Sequence, residues 1–314
     1  MSAFMISAAA ATAAIVLLAP AAARSEPVVR SFTVEPGGRL TVETETGSID
    51  VATHDAGEVL VEVEIEGPGA DRFEVDFRQR GGDVEVEGDA RDGILGNRRS
   101  HVDVRYRIRV PGRYDVDLST AGGSISVADL DGDARADTSG GTIELARISG
   151  QVDASTSGGG ISVEYAGGDV SADTSGGSIR VEEAAGRVHA DTSGGSIRIG
   201  SAAGPVDADT SGGSITVRSA RAAVSASTSG GSIKVGFAEQ PDARSRLSTS
   251  GGMVTVYLAQ GVGFDVRARS GVGVSSDLDV EAERIEPGRL EGRVNGGGPR
   301  LELKSTGRVR IEPM

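Results

Sequence analysis

The chain has 314 residues, among them 47 Gly, 6 Phe and 4 Tyr but no Cys and no Trp. The missing thiols exclude a disulfide framework, thiolate metal sites and thiol catalysis, and 10 Pro without a Gly-X-Y period exclude collagen. Lys+Arg 32 against Asp+Glu 46 leaves a net charge of −14, which argues against general binding to nucleic acid or to an anionic membrane surface.

Residues 1–23 carry no charged side chain, contain the apolar run Ile15-Val16-Leu17-Leu18 and end on Ala21-Ala22-Ala23. A short apolar segment closed by small residues reads as a secretory signal peptide, and it is short for a membrane span. The expectation is an exported chain of residues 24–314, periplasmic or at the cell surface, with no transmembrane segment after cleavage. Residues 39–51 then read Arg-Leu-Thr-Val-Glu-Thr-Glu-Thr-Gly-Ser-Ile-Asp-Val, two alternating runs about a glycine turn. Alternating runs recur at 59–65, 73–77, 84–86 and 102–108, and period 2 predicts strands. Residues 28–118 are expected to form an N-terminal β cap.

A repeat dominates residues 119–257. Ser119-Thr-Ala-Gly-Gly-Ser-Ile125 returns as Asp137-Thr-Ser-Gly-Gly-Thr-Ile143, and again from Ser155, Asp173, Asp191, Asp209 and Ser227, every step being 18 residues. An eighth copy starts at Ser248 after 21 residues, so a three-residue insertion precedes it. Val188, Ile197, Val206 and Ile215 fall nine apart, so each repeat is two half-repeats. Each half alternates apolar and polar residues between glycines, which predicts a short strand with one buried face. Helix is excluded by Gly-Gly in every repeat. The inward residues are small, which predicts closely approaching layers and a thin core.

Two architectures accommodate this pattern. In a β-solenoid each 18-residue coil gives one strand to each of two sheets, and equivalent residues stack about 4.8 Å apart. In an antiparallel meander Asp191 would oppose Arg198 and Asp173 would oppose Arg180, as favourable cross-strand pairs. The meander also sets Asp137 against Glu144 and leaves an apolar face uncovered. Equal repeat length and near-identical turns favour the solenoid. Residues 258–314, with Phe264, the Gly-rich 292–298 segment and the alternating 301–311 segment, are expected to form a C-terminal β cap, making 24–314 one all-β domain.

The strand pair Leu40-x-Val-x-Thr with Gly47-Ser-Ile-x-Val51, the Thr-Ser-Gly-Gly-Ser-Ile repeats and the closing Leu301-x-Leu-x-Ser-Thr-Gly307-x-Val-x-Ile311 resemble the toastrack, or "putative adhesin", family of extracytoplasmic β-strand-repeat domains. The resemblance covers about residues 28–312. It implies a β-solenoid-like domain of unknown function at a bacterial envelope, and it brings no catalytic motif.

No residue pattern assigns a catalytic, cofactor or metal site. His54, His101 and His189 lack partners at ligand spacing, and no nucleophile-elbow, phosphate-loop or zinc-protease motif occurs. Asp137, Asp173, Asp191 and Asp209 are read as turn residues accepting a backbone N–H two positions on. A carboxylate ladder that binds a cation is the alternative, and Ser at 119, 155, 227 and 248 speaks against it. Asp129-Leu-Asp131-Gly132-Asp133 lacks the Gly and Glu positions of a calcium loop. Between Arg91 and Arg113 seven Arg stand against Asp92 and Asp103. They form either a patch for an anionic partner or a set in which Arg105, Arg107 and Arg109 pair with Glu62, Glu64 and Glu66 on a neighbouring strand, the pairing being favoured.

These readings point to a non-catalytic, adhesin-like structural or binding scaffold at the cell envelope. Its partner would be an unidentified protein or glycan, without cofactor. The alternatives are an envelope-stress or signalling accessory domain and a polysaccharide-active β-helix enzyme, the last requiring a groove lined by Asp, Arg and Tyr.

Overall fold

Alternation of small apolar and polar residues gives strands throughout the computed structural model, which describes residues 27–90 and 102–314. The leader segment 1–23, Arg91, Arg98, Arg99 and His101 lie outside the described residues. These contain 29 strands and one 3-10 turn, Ala70–Arg72, and no α-helix. The strands form two sheets, of 14 and 15 strands.

Each 18-residue coil places one strand in each sheet, as the solenoid reading requires. In the coil beginning at Val188, the strand Val188–Thr192 buries Val188, Ala190 and Thr192 and turns His189 and Asp191 outward. After the Ser-Gly-Gly-Ser turn, Ile197–Ala202 buries Ile197, Ile199 and Ala202 against it from the other sheet. Neighbouring coils pair in parallel at constant offset, Val170 beside Val188, Thr174 beside Thr192 and Ile179 beside Ile197. The meander is thereby overturned. Asp191 lies next to Asp173 and Asp209, and Arg198 next to Arg180.

One buried hydroxyl per coil ties the turns together. Thr192 Oγ1 donates to the Gly177 carbonyl of the preceding coil at 2.9 Å and accepts the Gly195 N–H of its own turn at 3.2 Å. Thr138, Thr156, Thr174, Thr210 and Thr228 repeat both bonds. Thr120 and Thr249 donate to Gly47 and Gly231 in the same way, and Ser305 replaces Thr opposite Gly252. A hydroxyl enclosed this way must be satisfied, because an unpaired buried donor costs about 1–3 kcal/mol.

The two glycines of each turn do different work. A Cβ on the second, such as Gly177, would be driven into the Gly159 carbonyl of the coil before it. On the first, Gly176, the nearest atom would be 3.3 Å away, and neither glycine has a left-handed φ. Only the second glycine is demanded by close approach.

The stack continues on both sides of residues 119–257. Arg39–Thr44 and Ser48–His54 form a coil that lies directly against Asp115–Thr120 and Ile125–Val127. The chain between them folds into antiparallel strands that extend the two sheets, Glu58–Glu66 on Asp103–Pro111 and Phe73–Arg80 on Asp83–Ala90. Tyr106 closes this end from within. Its hydroxyl reaches Thr44 Oγ1 at 3.0 Å, and burial pushes the phenol up to about 12. At the other end Arg300–Ser305 slots between the array and the earlier segment Phe264–Ser270, and Arg308–Pro313 between the array and Gly273–Ser276. Phe237 and Phe264 meet edge to face at 4.9 Å in the core.

Two substitutions separate these contributions. Thr192→Val keeps the volume but removes both bonds, and is expected to cost about 1–3 kcal/mol in urea unfolding. Gly177→Ala is expected to cost about 3 kcal/mol or more by forcing the turns apart, and Gly176→Ala less than about 1 kcal/mol. Equal effects at the two glycines would contradict the close-approach account.

Candidate binding surface

Because the inward positions of each coil are filled by Val, Ile, Ala and Thr, chemistry is left to the outward positions. In the 15-stranded sheet these form two columns. One runs Asp117, Arg135, Asp153, Ser171, His189, Asp207, Ser225, Arg246, Glu302, Arg267 and Glu291 across adjacent strands. It is neutralised in place: Arg135 lies 3.2 Å from Asp153, Arg246 2.8 Å from Glu302 and Arg267 3.3 Å from Glu291.

The second column is segregated. From Glu87 and Glu43 it passes through Ser119, Asp137, Ser155, Asp173, Asp191 and Asp209, then Ser227 and Ser248, then Lys304, Arg269 and Arg289, and closes on Glu286 at the sheet edge. Two shallow depressions lie along it. The acidic one, about 500 Å³, is lined by Glu43, Glu45, Glu87, Asp89 and Asp137 among others. The basic one, about 440 Å³, has a floor of Ser225, Ser227 and Ser248 beside Arg246, Arg267, Arg269 and Lys304.

The structure corrects the role assigned to the repeated Asp. None of Asp137, Asp173, Asp191 and Asp209 accepts the N–H two residues on. The turn bond belongs to the adjacent Thr, while Asp137 holds Arg135 at 3.1 Å and Asp173 accepts from Ser171 at 3.3 Å. Asp209 is pushed above the usual carboxylate range, first by partial burial and then by Asp207 and Asp191.

The other singled-out residues have local partners. Asp129, Asp131 and Asp133 do not converge; each accepts from the next coil, from Arg147 N–H at 3.3 Å, Ser149 Oγ at 2.6 Å and Gln151 N–H at 2.8 Å. His54 Nε2 bonds the Glu58 carbonyl at 2.7 Å, and His189 lies 3.8 Å from Asp207. Arg107 contacts Glu64 at 2.7 Å and Glu62 at 3.8 Å, and Arg105 contacts Glu64 at 3.5 Å. The Arg107 bond holds Glu64 below the usual range. Arg109 instead sits opposite Leu60, and Glu66 opposite Asp103. Tyr165 stacks under Arg147 at 4.5 Å in the other sheet. No helix among the described residues is long and apolar enough to cross a membrane.

Parallel coils that stack at constant register across two sheets are matched by a family model, Toastrack DUF4097, over residues 38–286. The chain belongs to the toastrack family. Solved structures share the span of this toastrack chain at low similarity. A "putative adhesin" from Parabacteroides merdae gives a TM-score of 0.38 at 12% identity, covering 92% of this chain and 96% of that one. A "putative lipid binding protein" from Parabacteroides distasonis gives 0.37 at 12%, covering 91% and 96%. A "putative adhesin" from Bacteroides fragilis gives 0.30 at 9%, covering 92% and 97%. Such scores carry no argument about what this toastrack chain does. No curated protein matches it.

The elevated Asp209 has a testable consequence. A carboxylate whose folded pKa lies above its unfolded value destabilises the fold when ionised, so its contribution worsens as pH rises through the folded pKa. Asp209→Asn is therefore expected to raise Tm at about pH 7, with the gain vanishing at about pH 3 where the native carboxyl is protonated. Thermal melts at both pH values check this, and a lowered Tm at about pH 7 would contradict it.

Proposed function

We propose that the chain is exported after cleavage behind Ala23 and serves at the bacterial cell envelope as a non-catalytic, adhesin-like display scaffold. In this reading residues 24–314 are one folding unit, and a protein or glycan partner is engaged through many weak polar contacts along a sheet face. One observation carries the proposal. Inward positions barely change from coil to coil, with Thr138, Thr156, Thr174, Thr192, Thr210 and Thr228 in one column. The outward position two residues before the repeated Asp or Ser changes at almost every step: Arg135, Asp153, Ser171, His189, Asp207, Ser225. A frame of constant pitch with varied outward groups suits recognition of an extended partner.

Mass spectrometry of fractionated cells is expected to find the chain in the envelope fraction with Arg24 as its first residue. The purified protein is expected to release no sugar from anionic polysaccharides. An uncleaved cytoplasmic chain would overturn the export, and polysaccharide turnover would overturn the non-catalytic role.

A further inference from the structure

The outward column that runs through Lys304, Arg269 and Arg289 has a symmetry that its charges make specific. On three consecutive strands stand Asp173, Asp191 and Asp209, and on the next two Ser227 and Ser248. The three strands after that carry Lys304, Arg269 and Arg289. About the midpoint between Ser227 and Ser248 the pattern is antisymmetric: each acid on one side has a base at the same distance on the other.

We infer that this face of the 15-stranded sheet is a homodimer interface, closed by a two-fold axis between the Ser227 and Ser248 strands. That rotation sets Lys304 against Asp209, Arg269 against Asp191 and Arg289 against Asp173 of a second copy, and the symmetry makes each pair twice. The next residue outward, Glu286, falls opposite Ser155, while in the neighbouring column Glu302, held at 2.8 Å by Arg246 of its own chain, falls opposite Asp207. The small serines at the axis let the faces approach, and the basic depression floored by them receives the partner surface.

Three further observations favour a second copy as the occupant. Among the described residues Lys304, Arg269 and Arg289 form no ion pair within their own chain, and Glu286, which lies across from Arg289, is held by Arg284 at 3.6 Å, whereas the neighbouring column is internally paired. Adjacent like charges on paired strands are unfavourable in an isolated protomer, and opposing ends relieve both clusters at once. The strands from Val152–Thr156 to Val280–Glu286 that overlap in this arrangement present roughly 800 Å² per copy, at about 4.8 Å per strand and ~16 Å strand length. The total of about 1,600 Å² is the size of a standard stable interface. Sheets packed face to face also keep their strands nearly aligned, as a two-fold that lies in the interface and runs parallel to the strands requires. This pairing goes beyond the display role and covers the Asp153, Ser171, His189, Asp207 and Ser225 positions of the varied column, so a second copy and any other partner compete for that face.

Sedimentation velocity on the full chain in low salt is expected to give twice the 31.9 kDa chain mass, falling to the single mass as salt screens the pairs. A variant carrying Lys304→Glu, Arg269→Glu and Arg289→Glu is expected to be monomeric, as is one carrying Asp173→Lys, Asp191→Lys and Asp209→Lys. Mixing the two is expected to restore a 1:1 dimer, because each supplies the charge the other has lost. Should the variants fail to fold, the salt dependence of the native chain remains decisive. A native chain monomeric in low salt overturns the inference, even if its basic end retains heparin instead. So does a dimer that survives either set of reversals or high salt.

Discussion

The threonine hydroxyl that spans two turns is the interaction on which the stack depends. A parallel pair of five-residue strands gains little by itself, and the turn between sheets would otherwise leave polar groups inside a core too narrow for water. By donating to the glycine carbonyl of one coil while accepting an N–H of its own, each threonine fixes the separation of successive turns. The same spacing then holds the valine, isoleucine and alanine columns in contact. The second glycine is the steric counterpart of this bond, because only a residue without a Cβ lets the carbonyl come close enough.

That division of labour explains which parts of the architecture were readable in advance. The period of 18, the two strands per coil and the inward set could be seen in the spacing of Val188, Ile197, Val206 and Ile215. These arise from local alternation and from equal repeat length. The inward side of Thr192 was legible from strand parity, which it shares with Val188 and Ala190, but its work was not, because the Gly177 carbonyl it donates to belongs to the preceding coil.

The ends were less legible for a different reason. Leu40 stacks on Val116 and Leu301 on a strand beginning at Ser245, contacts set by chain return over long distances, with no repeat to announce them. For the surface, the acidic half of the charged column could be read from the 18-residue spacing of Asp173, Asp191 and Asp209. The basic half comes from three strands outside the period, two of them reached only after the chain doubles back. No reading of motifs along the chain would have brought Arg269 beside Lys304.

The placement of residues 300–313 has a bearing on assembly. This coil lies inside the stack, underneath a segment that precedes it in the chain. Until it is threaded into place, the strands Ser245–Thr249 and Val254–Leu258 each offer a bare row of amide and carbonyl groups, the kind of edge that recruits foreign strands. A nascent molecule stopped before Arg300 would therefore be adhesive in the wrong sense. The final turn acts as a keystone, converting a polymerisable template into a finished particle.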